Sequence, residues 1–396
     1  MVACLVKTRG VPERGPLLHC LMAREEPHYA IVGDMKHTGI STQKALAPVD
    51  SKAMVDAFIA PLLRQLTENA RRVNPHYETM WQDIHYLYSA GGKRLRSYMT
   101  LLTYEAFGGL SLQRMLPAAA SQELLHLAML IHDDIIDRDV MRYGVKNMTQ
   151  QYVDHYEELI DDTVVRRHYA ESAALLAGDL LISEAYHVIA KADIEPTLII
   201  KIQRLLSHAI FQVVGGELLD TETPFRGFGS TDPLVIASLK TASYSFISPL
   251  LIGATLAEAS PIQRNILRKL GEQLGIAYQL RDDVLGVFGN ASKTGKSVDS
   301  DITEGKQTLL IEAFRTSATE TQLMEFNTLF GRRDASTDDI DRVKTLLAES
   351  GAKEAIEKCI IDYQEYCHSL LQSLDIDIKH REAFGQLIDL CVKRDT

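Results

Sequence analysis

The sequence predicts an all-α fold. Apolar residues recur at helical spacing in segments separated by Gly, Pro or Asp/Ser/Thr punctuation, and no stretch alternates polar and apolar residues as a half-buried strand would. Runs of β-branched residues are few, and the chain has only 12 prolines among 396 residues. With 46% hydrophobic residues it can bury a sizeable core.

Residues 1 to 50 break any helical period with Arg9-Gly10-Val11-Pro12, Glu25-Glu26-Pro27 and Met35-Lys36-His37-Thr38-Gly39, and read as a poorly ordered or loosely packed N-terminal extension. Glu13, Glu25 and Glu26 are unlike a cleaved transit peptide. Residues 51–396 are expected to form one domain. Asp50 or Ser51 can cap a helix running to Val73, which Pro75 stops. Further helices are predicted near 77–108, 112–143, 168–192, 196–221, 232–258, 261–289, 304–329, 337–350, 352–373 and 377–394, with 331–338 as a polar connector. No internal repeat of fixed period is present.

A net charge of −11 argues against an extended nucleic-acid surface and suits a protein that recruits metal cations. The 5 cysteines contain no CxxC pair, so neither a zinc site nor a disulfide framework is expected, and a reducing cytoplasm is the default. No uninterrupted apolar run approaches the roughly 20 residues of a membrane span, and the first residues lack the apolar stretch of a signal peptide. No integral membrane segment is therefore expected.

Two aspartate clusters stand in otherwise apolar helical text: Asp133-Asp134-Ile135-Ile136-Asp137 and Asp282-Asp283. Asp133 and Asp137 project from one helix face about a turn apart. Carboxylates held beside a core repel one another unless cations neutralise them, and their hard oxygens suit Mg²⁺ bridged to phosphate. Gly91-Gly92-Lys93-Arg94-Leu95-Arg96 places Lys93 and Arg96 three apart, where they could grip a diphosphate; the alternative is a glycine turn before a helix with solvated basic residues. His126 shares a helix face with Asp133. Lys240-Thr241 and Gln279 precede the second cluster closely in kind, and Lys296, Asp301 and Lys306 follow it; each could also be a solvated or satisfied polar group.

These motifs, GGKRLR, the block from His126 to Asp137, KTASYSF, QLRDDVLGVFG and TGKSVDSDITEGKQTLL, together resemble the trans-isoprenyl diphosphate synthases, or polyprenyl synthetase family, from about residue 55 to 395. The resemblance implies a single bundle of antiparallel helices around a central cavity, a homodimer, and condensation of isopentenyl diphosphate with an allylic diphosphate (dimethylallyl, geranyl or farnesyl). It implies that Asp133 and Asp137 ligate two Mg²⁺ ions, with Asp134 supporting, and that Asp282 holds a third. Arg142, Lys240 and Lys296 would contact the allylic diphosphate. Lys93, Arg96 and His126 would hold isopentenyl diphosphate, Thr241 and Gln279 would face the reacting carbons, and Asp283, Asp301 and Lys306 would support the site or its lid.

Two positions depart from the family pattern. Tyr143 stands where an arginine is usual for binding isopentenyl diphosphate, and Gly286 stands where many members have a third aspartate. Product length in the family depends on side chains four and five residues before the first cluster, here Met129 and Ala128, with Leu125 or Leu124 as deeper stops. Neither Met129 nor Ala128 is aromatic, so a geranylgeranyl product is expected, with a longer chain as the alternative. A noncatalytic partner subunit and a class I terpene cyclase are the rival readings; the intact first cluster disfavours the former, and Gly91–Arg96 with the second aspartate pair the latter.

Overall fold

In the computed structural model, residues 44–289 and 299–394 are described, and they form fifteen helices with one short hairpin. The helices are α1 (Pro48–Val73), α2 (Pro75–Ala90), α3 (Leu95–Ala106), α4 (Leu112–Ile136), α5 (Met148–His155), α6 (Thr163–Ala190) and α7 (Pro196–Arg226). After these come α8 (Pro233–Leu256), α9 (Pro261–Phe288), α10 (Ser300–Glu304), α11 (Leu309–Ser317), α12 (Glu320–Leu329), α13 (Thr337–Glu349), α14 (Ala352–Gln372) and α15 (Ile378–Val392). Strands β1 (Met141–Arg142) and β2 (Val145–Lys146) pair antiparallel.

Helix α4 is the axis of the fold. Its small and branched residues, among them Ala119, Leu124, Ala128 and Ile131, are buried on almost every side, as expected of a helix that is apolar all round. It packs on α6 and α3, while α8 lies between α7 and α9, and α14 covers the outer side of α9. Local signals set several boundaries. Asn74 caps α2 by accepting from the His76 amide, with Pro75 in the first helical position; Ser260 does the same for Gln263 before Pro261 at the start of α9. Pro75 thus starts a helix as well as stopping one.

Several boundaries correct the sequence reading. The first helix begins at Pro48 without a side-chain cap, and Ser51 is buried within it, so neither Asp50 nor Ser51 caps it. The helix expected over 77–108 breaks at Gly91–Arg94, where Arg94 takes a left-handed φ of 52°. That expected over 112–143 ends at Ile136 and turns into the hairpin, whose two-residue turn has φ of 55° at Tyr143 and 76° at Gly144, the positive pair that suits the twist of a tight hairpin. The stretch 304–329 divides among α10, α11 and α12, and α5 was not anticipated. Within α8, Ala237–Ile247 is π-helical.

Helices α6, α7 and α8 are each long and apolar enough, by length and composition, to cross a membrane. Charged residues such as Asp179 and Glu184 in α6, Lys201 and Arg204 in α7 and Lys240 in α8 break the apolar runs, so no run is uninterrupted. The apolar window of α8 is 67% buried within the bundle, whereas that of α7 is only 22% buried. Phe211, Val214, Leu218 and Phe225 of α7 are exposed, as are Leu175 and Leu176 of α6, and Val214 and Leu218 also border a central cavity.

Candidate active site

A cavity of about 1230 Å³ opens between the ends of α4, α7, α8 and α9. The C-terminal turn of α4 delivers Asp133 and Asp137 to its wall, and α7 faces them with Glu217 and Asp220. Lys240, from the π-helical part of α8, is inserted among these carboxylates: its Nζ lies 2.7 Å from Asp220, 2.8 Å from Glu217 and 3.7 Å from Asp133. Burial alone would lower the Lys240 pKa, but the surrounding carboxylates outweigh it and hold the ammonium charged well above its ordinary range. One lysine does not neutralise the cluster. Burial, opposed by Lys240, raises Glu217 to about 7, and burial with the neighbouring Asp133 raises Asp137.

Asp134 points away from this group. It is fully buried and accepts the Arg142 guanidinium, which β1 carries back over the end of α4 and which also reaches Asp139 (3.3 Å) and Asp133 (3.5 Å). Burial raises Asp134 to about 6 against the pull of Arg142. Arg142 is only 3% exposed. It pairs with the cluster and also lines the cavity, the position expected of a diphosphate contact.

The opposite wall comes from α9 and α10. Thr241 Oγ1 donates to Gln279 Oε1, and Gln279 Nε2 donates to Asp283 Oδ1 at 2.8 Å. Burial raises Asp283 to about 7, with the Gln279 hydrogen bond opposing. Lys306 reaches Asp137 and Asp301, each at 3.4 Å, and Glu304 at 3.6 Å, tying α10 to the end of α4. A Cβ on Gly286 would fall 2.3 Å from Asp301 Oδ2, so Asp301 occupies the space beside this glycine. Asp282 ion-pairs with Arg394, whose guanidinium lies 3.7 Å over the Tyr278 ring. Lys296 lies outside the described residues.

A third part of the cavity is basic and carries Lys93, Arg96, His126 and Tyr143. Arg96 donates to Ser245 Oγ (2.6 Å) and Tyr244 OH (3.2 Å) and lies over the Tyr244 ring, which also neighbours His126. Arg94 borders the cavity, but its guanidinium is engaged elsewhere. Its buried guanidinium binds Asp56 (2.8 Å) and the Tyr88 and Gly91 carbonyls, anchoring the turn that presents Lys93 and Arg96. Tyr143 packs over that turn: a Cβ on Gly91 would fall 2.6 Å from the Tyr143 ring. Below Asp133 the walls become apolar, with Met129, Ile182, Ile210 and Val213. Leu124, Leu125 and Ala128 are buried in the surrounding core and, unlike Met129, do not line the cavity.

The polyprenyl synthetase sequence profile matches residues 78–347. The chain belongs to the polyprenyl synthetase family. It is 30% identical over 319 residues to a geranylgeranyl diphosphate synthase of Methanosarcina mazei, covering 80% of this chain and 90% of the relative. It is 33% identical over 317 residues to a geranylfarnesyl diphosphate synthase of Aeropyrum pernix, covering 78% and 92%. Among solved structures, a Corynebacterium glutamicum geranylgeranyl pyrophosphate synthase complexed with isoprenyl diphosphate and magnesium superposes with a TM-score of 0.80 at 27% identity, covering 88% of this chain and 98% of that one.

In this polyprenyl synthetase the donor set fits Mg²⁺. It consists of carboxylates, and the buried Glu217 Oε1 has no hydrogen-bond partner among the described residues. Among the described residues no three His, Cys, Asp or Glu groups are gathered tightly enough to hold a metal ion. Sequence reasoning missed Glu217, Asp220, Glu304, Tyr278 and Arg394. The first two carried a readable signal, two acids three apart in the apolar stretch Gly215–Leu219 and its next residue, the same pattern that drew attention to Asp133. Arg394 carried none.

Proposed function

We propose that this polyprenyl synthetase condenses an allylic diphosphate with isopentenyl diphosphate to give a longer all-trans prenyl diphosphate, geranylgeranyl diphosphate, plus inorganic diphosphate. The observation that carries this reading is one cavity with two unlike anion sites above an apolar shaft: carboxylates with embedded Lys240 and Lys306 on one side, and metal-independent cations Lys93 and Arg96 on the other.

Mg²⁺, three ions in this reading, bound by Asp133, Asp137 and Asp282 would supply Lewis-acid stabilisation of the allylic diphosphate. Lys240 and Lys306 present fixed positive charge to the same group as its C–O bond breaks and the electron pair leaves with diphosphate. Lys93, Arg96 and His126 hold the second diphosphate so that the isopentenyl double bond meets the allylic carbon. The Thr241 hydroxyl and Gln279 amide, locked by Asp283, present oriented dipoles to the transient cation. Loss of a proton to the released diphosphate restores the alkene. The apolar shaft excludes water and receives the growing chain.

Purified protein incubated with Mg²⁺, labelled isopentenyl diphosphate and each of dimethylallyl, geranyl and farnesyl diphosphate should yield a linear C20 alcohol after dephosphorylation. A product no longer than farnesyl, or a cyclised hydrocarbon, would overturn the reading. A C25 product is the second reading, favoured by the Aeropyrum pernix relative and by the absence of an aromatic side chain at Met129. The exposed apolar residues of α6 and α7 support a homodimer through these helices; Phe211→Lys should shift the sedimenting species toward monomer. Three buried free cysteines support a reducing, cytoplasmic setting, which cell fractionation tests.

A further inference from the structure

A second cleft, of about 410 Å³, lies between α7, the middle of α8 and the first half of α9, and shares no lining residue with the central cavity. Lys201, Arg204 and His208 line it from α7, and Arg264 and Arg268 from α9. No carboxylate lines it, although acidic residues outnumber basic ones by 53 to 42 in the chain. The side chains of Lys201, Arg204, Arg264 and Arg268 make no ion pair or hydrogen bond among the described residues, so their charge is available to a ligand. The floor is apolar, built by Leu205, Ala209, Ile247 and Leu251.

We propose that this cleft is a second binding site, independent of metal, for a phosphorylated amphiphile. Four cations on two walls of the cleft suit a phosphate or diphosphate head, and the floor accepts the first part of an apolar tail. A bare inorganic anion would leave the floor uncovered, and a wholly apolar ligand would lie against unpaired charge. The volume falls in the range of small-molecule sites. Ser243 and Ile247 of the cleft belong to the same π-helical segment as Lys240, Thr241 and Tyr244 of the central cavity, so a ligand here rests against the backbone that positions the catalytic lysine. A soluble prenyl diphosphate and an anionic lipid headgroup share this chemistry.

The test is equilibrium dialysis of the full chain with labelled farnesyl diphosphate in excess chelator. Wild type should show two classes of site. Arg96→Ala should lose the class in the central cavity, and Arg264→Gln/Arg268→Gln should weaken the other by about tenfold or more, with prenyl transfer retained as proof of folding. Lys201→Gln/Arg204→Gln, on the facing wall, should reproduce that loss. Sedimentation with phosphatidylglycerol-containing vesicles that depends on the same arginines would identify a lipid as the source. The proposal is overturned if both double variants bind farnesyl diphosphate and vesicles as wild type does, or if inorganic diphosphate competes for the second class as well as farnesyl diphosphate does.

Discussion

Gly216 of α7 lies against the backbone of Lys240: a Cβ at position 216 would fall 2.4 Å from the Lys240 amide nitrogen. From the other side, a Cβ on Gly275 of α9 would fall 2.4 Å from the Ala242 Cα. The π-helical segment, wider and rarer than an α-helix, is thus held between two helices whose glycines let backbone meet backbone. Gly216→Ala should cost about 1–3 kcal/mol through overpacking and displace Lys240 from Asp133. Calorimetry and steady-state kinetics check both; wild-type kcat in a stable Gly216→Ala protein would show that the clamp does not position the lysine.

The buried carboxylates give the metal-free protein a defined pH dependence. Asp283 and Glu217 titrate at about 7, above the unfolded values of 3.8 and 4.5. The folded state therefore holds protons that the unfolded chain has released, so stability falls as pH rises through that window and levels off above about 7. The melting temperature in chelator should drop from about pH 5 to about pH 7 and change little above it, and Asp283→Asn should flatten the slope. Added Mg²⁺, which favours the ionised carboxylates, should restore stability most at the high-pH end.

An aspartate at position 286, expected there from the family resemblance, has no room in this site. The new Cβ would stand 2.3 Å from Asp301 Oδ2 and bring a second carboxylate with it. Gly286→Asp should lower kcat by about tenfold or more and loosen the Lys306 contact between α10 and α4. An unimpaired or faster Gly286→Asp enzyme would count against Asp301 as the group that fills this place.

Arg94 anchors the turn that carries Lys93 and Arg96. Its hydrogen bonds to Asp56, Tyr88 and Gly91 hold the turn in front of α3. Arg94→Ala should destabilise the fold by about 1–3 kcal/mol and raise KM for isopentenyl diphosphate more than it lowers kcat, whereas Arg96→Ala should raise that KM with little change in melting temperature.

In the proposed reaction the apolar shaft receives the growing chain, so its lining is expected to set product length. Met129 is the chain-length candidate that lines it. Met129→Phe should shift the product to a shorter prenyl chain at similar turnover, read by chromatography; the same substitution at the buried Ala128 should instead destabilise the core by about 1–3 kcal/mol.

Helix positions were legible where a local signal sufficed. The ends at Val73, Ser260 and Thr337 follow from proline and capping chemistry acting within four residues. The failures fall where a distant contact decides. Nothing near Gly91–Arg94 announces that Arg94 will reach Asp56, 38 residues away, and bend the chain there. The hairpin after α4 likewise owes its place to Arg142 meeting the buried Asp134, and the π-helical segment to the glycines of two other helices.

By itself the sequence determined the all-α class, the family, and the pairing of Asp133 with Asp137, because helical periodicity and a turn's spacing are properties of adjacent residues. Only the tertiary structure decided which charges share the cavity. It brought Glu217 and Asp220 to Lys240, turned Arg142 inward to Asp134, set Asp301 beside Gly286 and laid Arg394 on Asp282. Ion pairing acts through space over a few ångströms, and residues that far apart along the chain reach those distances only once the helices have packed.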